Sequence, residues 1–343
     1  MSEKIRIAIV GYGNIGRGVR SSIKKNPDME LGCIISRAPE RVKSELGDNA
    51  PMLIDANEIN YTDAAEEIPL REEADVAILC GGSKNDLPVQ GWQFAKLFNT
   101  VDSFDTHADI PKYFEKMDGR AKAYNHVSVV CAGWDPGTFS LERVLMDAFI
   151  PGARPQMFYG LDEKGGLSMG HSDAVRQLRD LGVMDARQYT HGIHEAIDRV
   201  RSGENPDLKA GERVWREVYV VAKEGADKAA IEKAIKTMPA YFDEYKTEVH
   251  FVSQEELKEK HSGMPHDGLV LAVGETGEGN RAMIEYKNEW QSNPEATGNI
   301  LIACARAAYR LNKEGKTGAF AMLDIPAAYL SPRPREELLR DFM

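Results

Sequence analysis

The chain has 343 residues, 42% of them hydrophobic, with a formal net charge of −11 and a pI near 5.4. That length admits two domains, and the acidic balance argues against nucleic acid or an anionic membrane as a partner. No apolar run approaches membrane-spanning length, and residues 1–4 lead into a strand rather than a secretion signal. The four cysteines, Cys33, Cys80, Cys131 and Cys304, are scattered, which predicts free thiols in a reducing cytoplasm rather than disulfides or a metal site.

Ile5 to Val10 is an apolar run that feeds Gly11-Tyr12-Gly13-Asn14-Ile15-Gly16, and a helix-compatible stretch follows. Strand, Gly-x-Gly-x-x-Gly and helix in that order are what a dinucleotide-binding βαβ unit requires. Gly11 permits the tight turn, Gly13 lets a pyrophosphate approach the backbone, and Gly16 lets helix and strand pack closely. The free amides and positive end of the helix complete a phosphate site. A second strand at 31–35 ends in Ser36-Arg37, with Arg41 beyond, where NAD enzymes usually carry an acid for the ribose hydroxyls. A hydroxyl and a guanidinium suit a 2′-phosphate instead, so the sequence predicts NADP.

Further parallel strands are predicted at 75–80, 100–104 and 127–131, with helices over 88–98 and 111–124. The alternation predicts an α/β fold, a Rossmann-type open parallel sheet. Ligands of such sheets bind outside the carboxyl ends of the strands. Gly82 and Ser83 therefore join the cofactor candidates, and Asp105 and Asp135 become the catalytic candidates. Carboxylates at that edge hold a substrate ammonium and take its proton before hydride leaves the adjacent carbon. A loop or helix-cap role suits both equally well, since Asp135 precedes Pro136-Gly137 and a helix from Thr138. Trp134 reads either as core or as a wall that keeps water from the site.

After residue 150 the pattern changes to long strands at 214–221, 247–252, 269–273 and 281–290, with short helices at 227–237 and 256–260. The stretch 201–207 reads as a loop, and a helix at 299–311 returns to the first domain. This predicts an inserted α+β, mostly antiparallel domain over 135–297 that carries the substrate residues. The dinucleotide domain would then comprise 1–134 and a return segment, 298–343. Gly165-Gly166-Leu167-Ser168-Met169-Gly170-His171-Ser172-Asp173 reads as a substrate loop or as a plain glycine-rich hairpin. Thr190, Arg216, His266 and Asn293 form a dispersed polar set. Arg216 lies in an apolar strand and needs an anionic partner if buried, either an Asp or Glu or a substrate carboxylate. His266, in a tight loop, carries the same ambiguity.

The fingerprint, Ser36-Arg37, Val101-Asp102 with Asp105, Gly133-Trp134-Asp135-Pro136-Gly137, Gly170-His171-Ser172-Asp173, Gln188-Tyr189-Thr190, Met238-Pro239, His261-Ser262-Gly263-Met264-Pro265-His266 and Thr317-Gly318-Ala319-Phe320 follow one another in order. Together they resemble the meso-diaminopimelate dehydrogenase family over nearly the whole chain. The resemblance implies a homodimeric bacterial enzyme of lysine and cell-wall precursor synthesis, with the inserted domain serving both substrate binding and dimerisation. Such an enzyme oxidatively deaminates the D centre of meso-2,6-diaminopimelate with NADP, giving L-2-amino-6-oxopimelate and ammonia. It further implies that Asp105 and Asp135 hold and deprotonate the reacting amino group beside Trp134. Thr190, Arg216 and His266, helped by Asn293, would bind the distal carboxylate, with Met169, Gly170 and Asp173 along the substrate. Met169 and Tyr159 depart from the glutamine and tryptophan that some members carry, and both positions bear on substrate tolerance. The competing readings are a related NAD(P)-dependent D-amino-acid dehydrogenase of broader specificity and a non-catalytic NADP sensor. The second lacks the basic DNA-binding stretch that such regulators usually carry.

Overall fold

In the computed structural model, which describes residues 4–62, 70 and 72–343, the chain separates into two units. One comprises residues 1–141 and 294–343, the other 142–293.

The first unit is built on a seven-stranded sheet of Ile5–Val10 (β1), Met29–Ser36 (β2), Met52–Asp55 (β3), Val76–Leu79 (β4), Asn99–Asp102 (β5), Val127–Val129 (β6) and, from the far end of the chain, Gly318–Phe320. Every pairing is parallel, and from the last of these strands the order runs β6-β5-β4-β1-β2-β3. Alternation along the strands feeds two cores. Ile5, Ile7 and Ile9 of β1 join Val76 and Ile78 on one face, while Ala8 and Val10 join Ala77 and Leu79 on the other. Burial on both faces is why these strands read as unbroken apolar runs. Helices Asn14–Ile23 (α1) and Pro39–Leu46 (α2) follow β1 and β2, and Leu87–Phe94 (α3) and Ile110–Ala123 (α4) follow β4 and β5.

The sheet is a Rossmann-type doubly wound sheet, with its switch in strand order between β1 and β4. The segment after β2 is more structured than its composition suggests, because four residues of it pair with Cys33–Ser36 as β3. Helix Thr138–Phe149 (α5) contains the first unit break, so the second unit starts inside a helix rather than ahead of one. Leu141 packs on the first core, whereas Ile150, just past the helix, lies against Gly274.

The second unit has two sheets. Gly166–Ser168 (β8), Val183–Gly192 (β9), Val214–Ala222 (β10) and Thr247–Phe251 (β11) form one, antiparallel except for β10 with β11. Gln156–Tyr159 (β7), His266–Gly277 (β12) and Asn280–Trp290 (β13) form the other, wholly antiparallel. Two findings differ from the sequence reading. The stretch 165–173 is not a loop: it is β8 followed by helix Met169–Arg176 (α6), whose first turn is capped by Ser168 Oγ accepting from the His171 amide. Residues 201 and 202 end helix His194–Ser202 (α7), which Gly203 stops at φ +113°.

Helix Asn293–Lys313, called α10 here after Lys228–Lys236 (α8) and Gln254–Lys260 (α9), buries Leu301, Ile302, Ala305 and Ala308 in the first core. Its start packs on α1 through glycines: a Cβ on Gly18 would lie 2.1 Å from Pro294 O, and one on Gly298 2.8 Å from Gly18 C. Among the described residues no helix is long and apolar enough to cross a membrane. All four cysteines are buried free thiols. Because backbone blocks the position, Gly18→Ala is expected to cost about 1–3 kcal/mol in urea unfolding. An unchanged midpoint would contradict the close crossing of α1 and α10.

Candidate functional site

The first unit carries a cleft of about 780 Å³ at the switch point, lined by Gly11, Gly13, Ser36, Arg37, Asn57 and Gly82 among others. Gly11 adopts φ +92°, and its amide donates to Ile35 O at 2.8 Å, which turns the chain across the end of β2. A Cβ on Gly16 would lie 2.3 Å from Gly11 O, while one on Gly13 would meet nothing within 4 Å. The fingerprint thus packs tightly at its third glycine and leaves space at its second. Helix α1 has no acid in its first turn and no side-chain cap, so no side chain of that turn competes with an anion for its leading amides.

Ser36 Oγ accepts from the Ala38 amide at 3.1 Å, and Arg41 donates to Tyr12 O at 3.0 Å. Arg37 pairs with Asp86 at 3.2 Å, with its side chain 70% exposed. An exposed pair of this kind is worth about 0–1 kcal/mol, so an incoming phosphate can displace it. Tyr12 is buried and also lines the cleft. Asn14, Ile15, Gly16 and Ser83 lie off the lining of the cleft. Arg41, Tyr61 and Gln90 line it although no sequence signal singles out Tyr61 or Gln90.

At the same sheet edge stand the two candidate acids. Asp105 is exposed and its amide donates to Ser83 Oγ at 2.8 Å, which ties the turn after β5 to the turn after β4. Asp135 is half-buried beside the buried Trp134, whose ring meets Phe139 edge-on at 5.4 Å. The turn that holds them needs glycine, since a Cβ on Gly137 (φ +139°) would lie 1.9 Å from Gly133 O. Beneath both turns lies Asp102, the last residue of β5, with no exposed surface. Its Oδ1 accepts from the amides of Phe104 (3.0 Å) and Cys131 (3.1 Å), and its Oδ2 from Tyr113 Oη (2.8 Å). Burial pushes its carboxyl up to about 6 in spite of these three donors.

The second unit assembles the dispersed set. β9 and β10 pair with Thr190 opposite Arg216, and the guanidinium Nη1 donates to Thr190 Oγ1. Arg216 is 8% exposed, its Cζ lies 4.2 Å from the Tyr245 ring centroid, and its buried Nε has no hydrogen-bond partner. Among the described residues no Asp or Glu forms an ion pair with it. Burial lowers its own proton affinity. His266 sits with Nδ1 3.2 Å from Asp267 O and its ring 5.9 Å from that of Tyr159. Burial first, and then the charge of Arg216, push His266 down to about 3 and hold His171 well below its ordinary range. Both imidazoles are therefore neutral at physiological pH, which leaves Arg216 as the fixed charge. Two glycines make room: a Cβ on Gly166 would strike His266 Nδ1 at 2.4 Å, and one on Gly160 would lie 1.7 Å from Thr190 O.

Asn293 is buried, donating through Nδ2 to Leu167 O at 3.2 Å and through its amide to Met264 O at 2.8 Å. It clips β8 to the segment before β12. Met169 is half-buried at the start of α6, Gly170 is exposed, and Asp173 is exposed and paired with Arg176. A buried guanidinium without an acidic partner among the described residues has the chemistry to take an anion, a carboxylate included.

A family profile described as the diaminopimelic acid dehydrogenase C-terminal domain matches residues 133–292. The meso-diaminopimelate D-dehydrogenase of Acetivibrio thermocellus is 49% identical over 344 residues, spanning 99% of this chain and 98% of that protein. This chain belongs to the meso-diaminopimelate dehydrogenase family. Among solved structures, Corynebacterium glutamicum DAP dehydrogenase in complex with DAP superposes with a TM-score of 0.89 at 38% identity, covering 99% of each chain. An engineered D-amino-acid dehydrogenase bound to NADP+ gives 0.87 at 37% identity, over 99% of this chain and 100% of that one.

The Asp102 carboxyl lies above its unfolded value, so it stabilises the fold in acid and withdraws that stability as pH rises through about 6. A rise of that size above the ordinary aspartate range corresponds to about 3 kcal/mol. Asp102→Asn is therefore expected to unfold later than the parent at pH 8 and level with it near pH 4. Thermal melts showing a gap that does not depend on pH would contradict this.

Proposed function

We propose that this chain catalyses the NADP-dependent oxidative deamination of meso-2,6-diaminopimelate at its D centre, giving L-2-amino-6-oxopimelate and ammonia, reversibly. The observation that carries the reading is Arg216, buried with an unpartnered Nε and no acidic partner among the described residues. A family member that acts on a diacid has a use for that charge at the end of the substrate remote from the chemistry. In this reading Arg216, Thr190 and His266 hold the carboxylate of the L centre, and Asn293 positions β8 beside them. Tyr159, Met169, Gly170 and Asp173 lie along the substrate.

Gly11, Tyr12, Gly13 and Gly82 line the proposed dinucleotide site, with Asn14, Ile15 and Gly16 behind them at the start of α1 and Ser83 next to Gly82, and the open space at Gly13 fits a pyrophosphate. Ser36 and Arg37 favour NADP over NAD, with Arg37 exchanging Asp86 for the 2′-phosphate. When bound, the nicotinamide supplies the hydride acceptor. Asp105 and Asp135 grip the D-centre ammonium and remove a proton, so that its lone pair forms the imine as hydride leaves. Water then adds to the imine carbon and ammonia departs. Trp134 shapes this end of the site. The family's homodimer is part of the proposal, and the exposed Val144, Phe149 and Met283 of the second unit offer it apolar surface. So is a cytoplasmic location, which suits four free thiols.

Discrimination follows from the remote end. A substrate lacking the distal carboxylate leaves Arg216 buried and unpaired, which costs several kcal/mol. Arg216→Met is expected to lower kcat/KM for meso-diaminopimelate by about 100-fold or more. The same variant should change activity on D-alanine only a few-fold, and equal losses on both would make Arg216 structural. Arg37→Ala should raise the KM for NADP about tenfold and leave that for NAD unaltered. An unchanged NADP preference would overturn the phosphate clamp.

A further inference from the structure

Both acids proposed for the chemistry sit on turns that Asp102 ties together. Phe104, one residue before Asp105, and Cys131, three before Trp134, donate their amides to the same oxygen, Asp102 Oδ1. The backbone adds a third link, Ala132 N–H to Asp102 O at 2.8 Å. The other carboxylate oxygen is held by Tyr113 Oη on α4, and the Tyr113 ring stacks on Phe104 at 4.2 Å. Cys131 has φ +56°, a left-handed conformation that a residue with a side chain adopts rarely and at a cost of about 1 kcal/mol or more. The Asp102 carboxylate is the side-chain acceptor that holds the Cys131 amide in that conformation. The chain leaves β6 there and turns towards Trp134 and Asp135. No lysine, arginine or histidine is among the groups that perturb Asp102, so the carboxylate is buried without a counter-charge. A buried, uncompensated acid costs stability, and an apolar residue would fill the same space more cheaply. What only a two-lobed acceptor can do here is bind two amides from different turns through one oxygen.

We propose that Asp102 is a positioning residue for the deamination: it sets the spacing and orientation of Asp105 and Asp135 through the amides of Phe104 and Cys131. The inference rests on the roles proposed for those two acids. Asp102 has no exposed surface to offer substrate or cofactor, and the residues that line the dinucleotide cleft do not include it. Its loss should therefore appear in turnover rather than in cofactor binding. Asparagine keeps Oδ1 as the acceptor of both amides and turns an N–H towards Tyr113 Oη, which can donate instead to Leu87 O, 3.4 Å away. Asparagine is the conservative rescue, and alanine removes the acceptor.

The test measures kcat and KM on meso-diaminopimelate, the dissociation constant of NADP by fluorescence, and amide hydrogen exchange in the full chain. The parent, Asp102→Asn, Asp102→Ser and Asp102→Ala are compared, with Asp105→Asn as the inactive control. Asp102→Ala is expected to lose about 100-fold in kcat while NADP affinity stays within about threefold. Exchange of the Phe104 and Cys131 amides should rise about tenfold, with the rest of the sheet unchanged. Asp102→Asn should stay within about threefold of the parent in kcat. Asp102→Ser, which keeps one acceptor at shorter reach, should fall between them and serves where the alanine variant does not fold. Parental kcat in a folded alanine or serine variant overturns the proposal. So does a loss of NADP affinity that matches the loss of kcat, or an asparagine variant as impaired as alanine. A parent inactive on meso-diaminopimelate refutes the proposed function instead, and the exchange arm still reports whether Asp102 holds the two turns.

Discussion

A guanidinium buried without a carboxylate is the constraint on which the second unit is organised. Desolvating that charge is costly, and a protein keeps it only where a partner arrives later or where surrounding dipoles compensate. The register of β9 on β10 puts the Thr190 hydroxyl opposite it, and Tyr245 lies against it. Burial, reinforced by the same charge, keeps His266 and His171 neutral, so the imidazoles add hydrogen-bonding capacity without adding repulsion. Gly160 and Gly166 are glycines because a strand carbonyl and the His266 ring occupy the space a Cβ would need. Strand register, glycine placement and neutral imidazoles thus come together around one buried cation.

The first unit solves the opposite problem, since it must accept an anionic cofactor in a chain of net charge −11. In the proposed reading it does so locally, with backbone amides at the start of α1 and arginines at the end of β2, leaving the global balance acidic. The acids proposed to react sit on turns at the neighbouring strand ends, and the buried Asp102 carboxylate accepts amides from both turns. On the proposal made above, Asp102 lowers stability at neutral pH to hold them, which is the usual relation between a site's geometry and the fold that supports it.

The parallel sheet was legible because its strands are buried on both faces and its fingerprint has a fixed spacing. Strand 318–320 and β3 were not, since three or four residues carry too little periodicity to separate a strand from a turn. The stretch 165–173 misled for a physical reason. Its glycines read as flexibility, whereas Gly166 lies in a strand and is small because His266 packs on it. Arg216 was legible as an anomaly, a charge in an apolar strand, but the choice between an acidic partner and a ligand needed the three-dimensional neighbours. Asp102 entered only inside a strand read over 100–104 and a family motif, because nothing local shows that Phe104 and Cys131, 27 positions apart in sequence, donate to one oxygen. Tyr61 and Gln90 reach the cleft by tertiary folding alone.

The most direct measurement of the central claim is the initial rate of NADP reduction by the purified protein on meso-, LL- and DD-diaminopimelate and on D-alanine at equal concentration. If Arg216 awaits the carboxylate of an L centre while the two acids grip a D-centre ammonium, the meso isomer is oxidised fastest, the LL isomer is inert, and D-alanine trails by about 100-fold or more. Equal rates on D-alanine and the meso isomer, or oxidation of the LL isomer, would contradict the account.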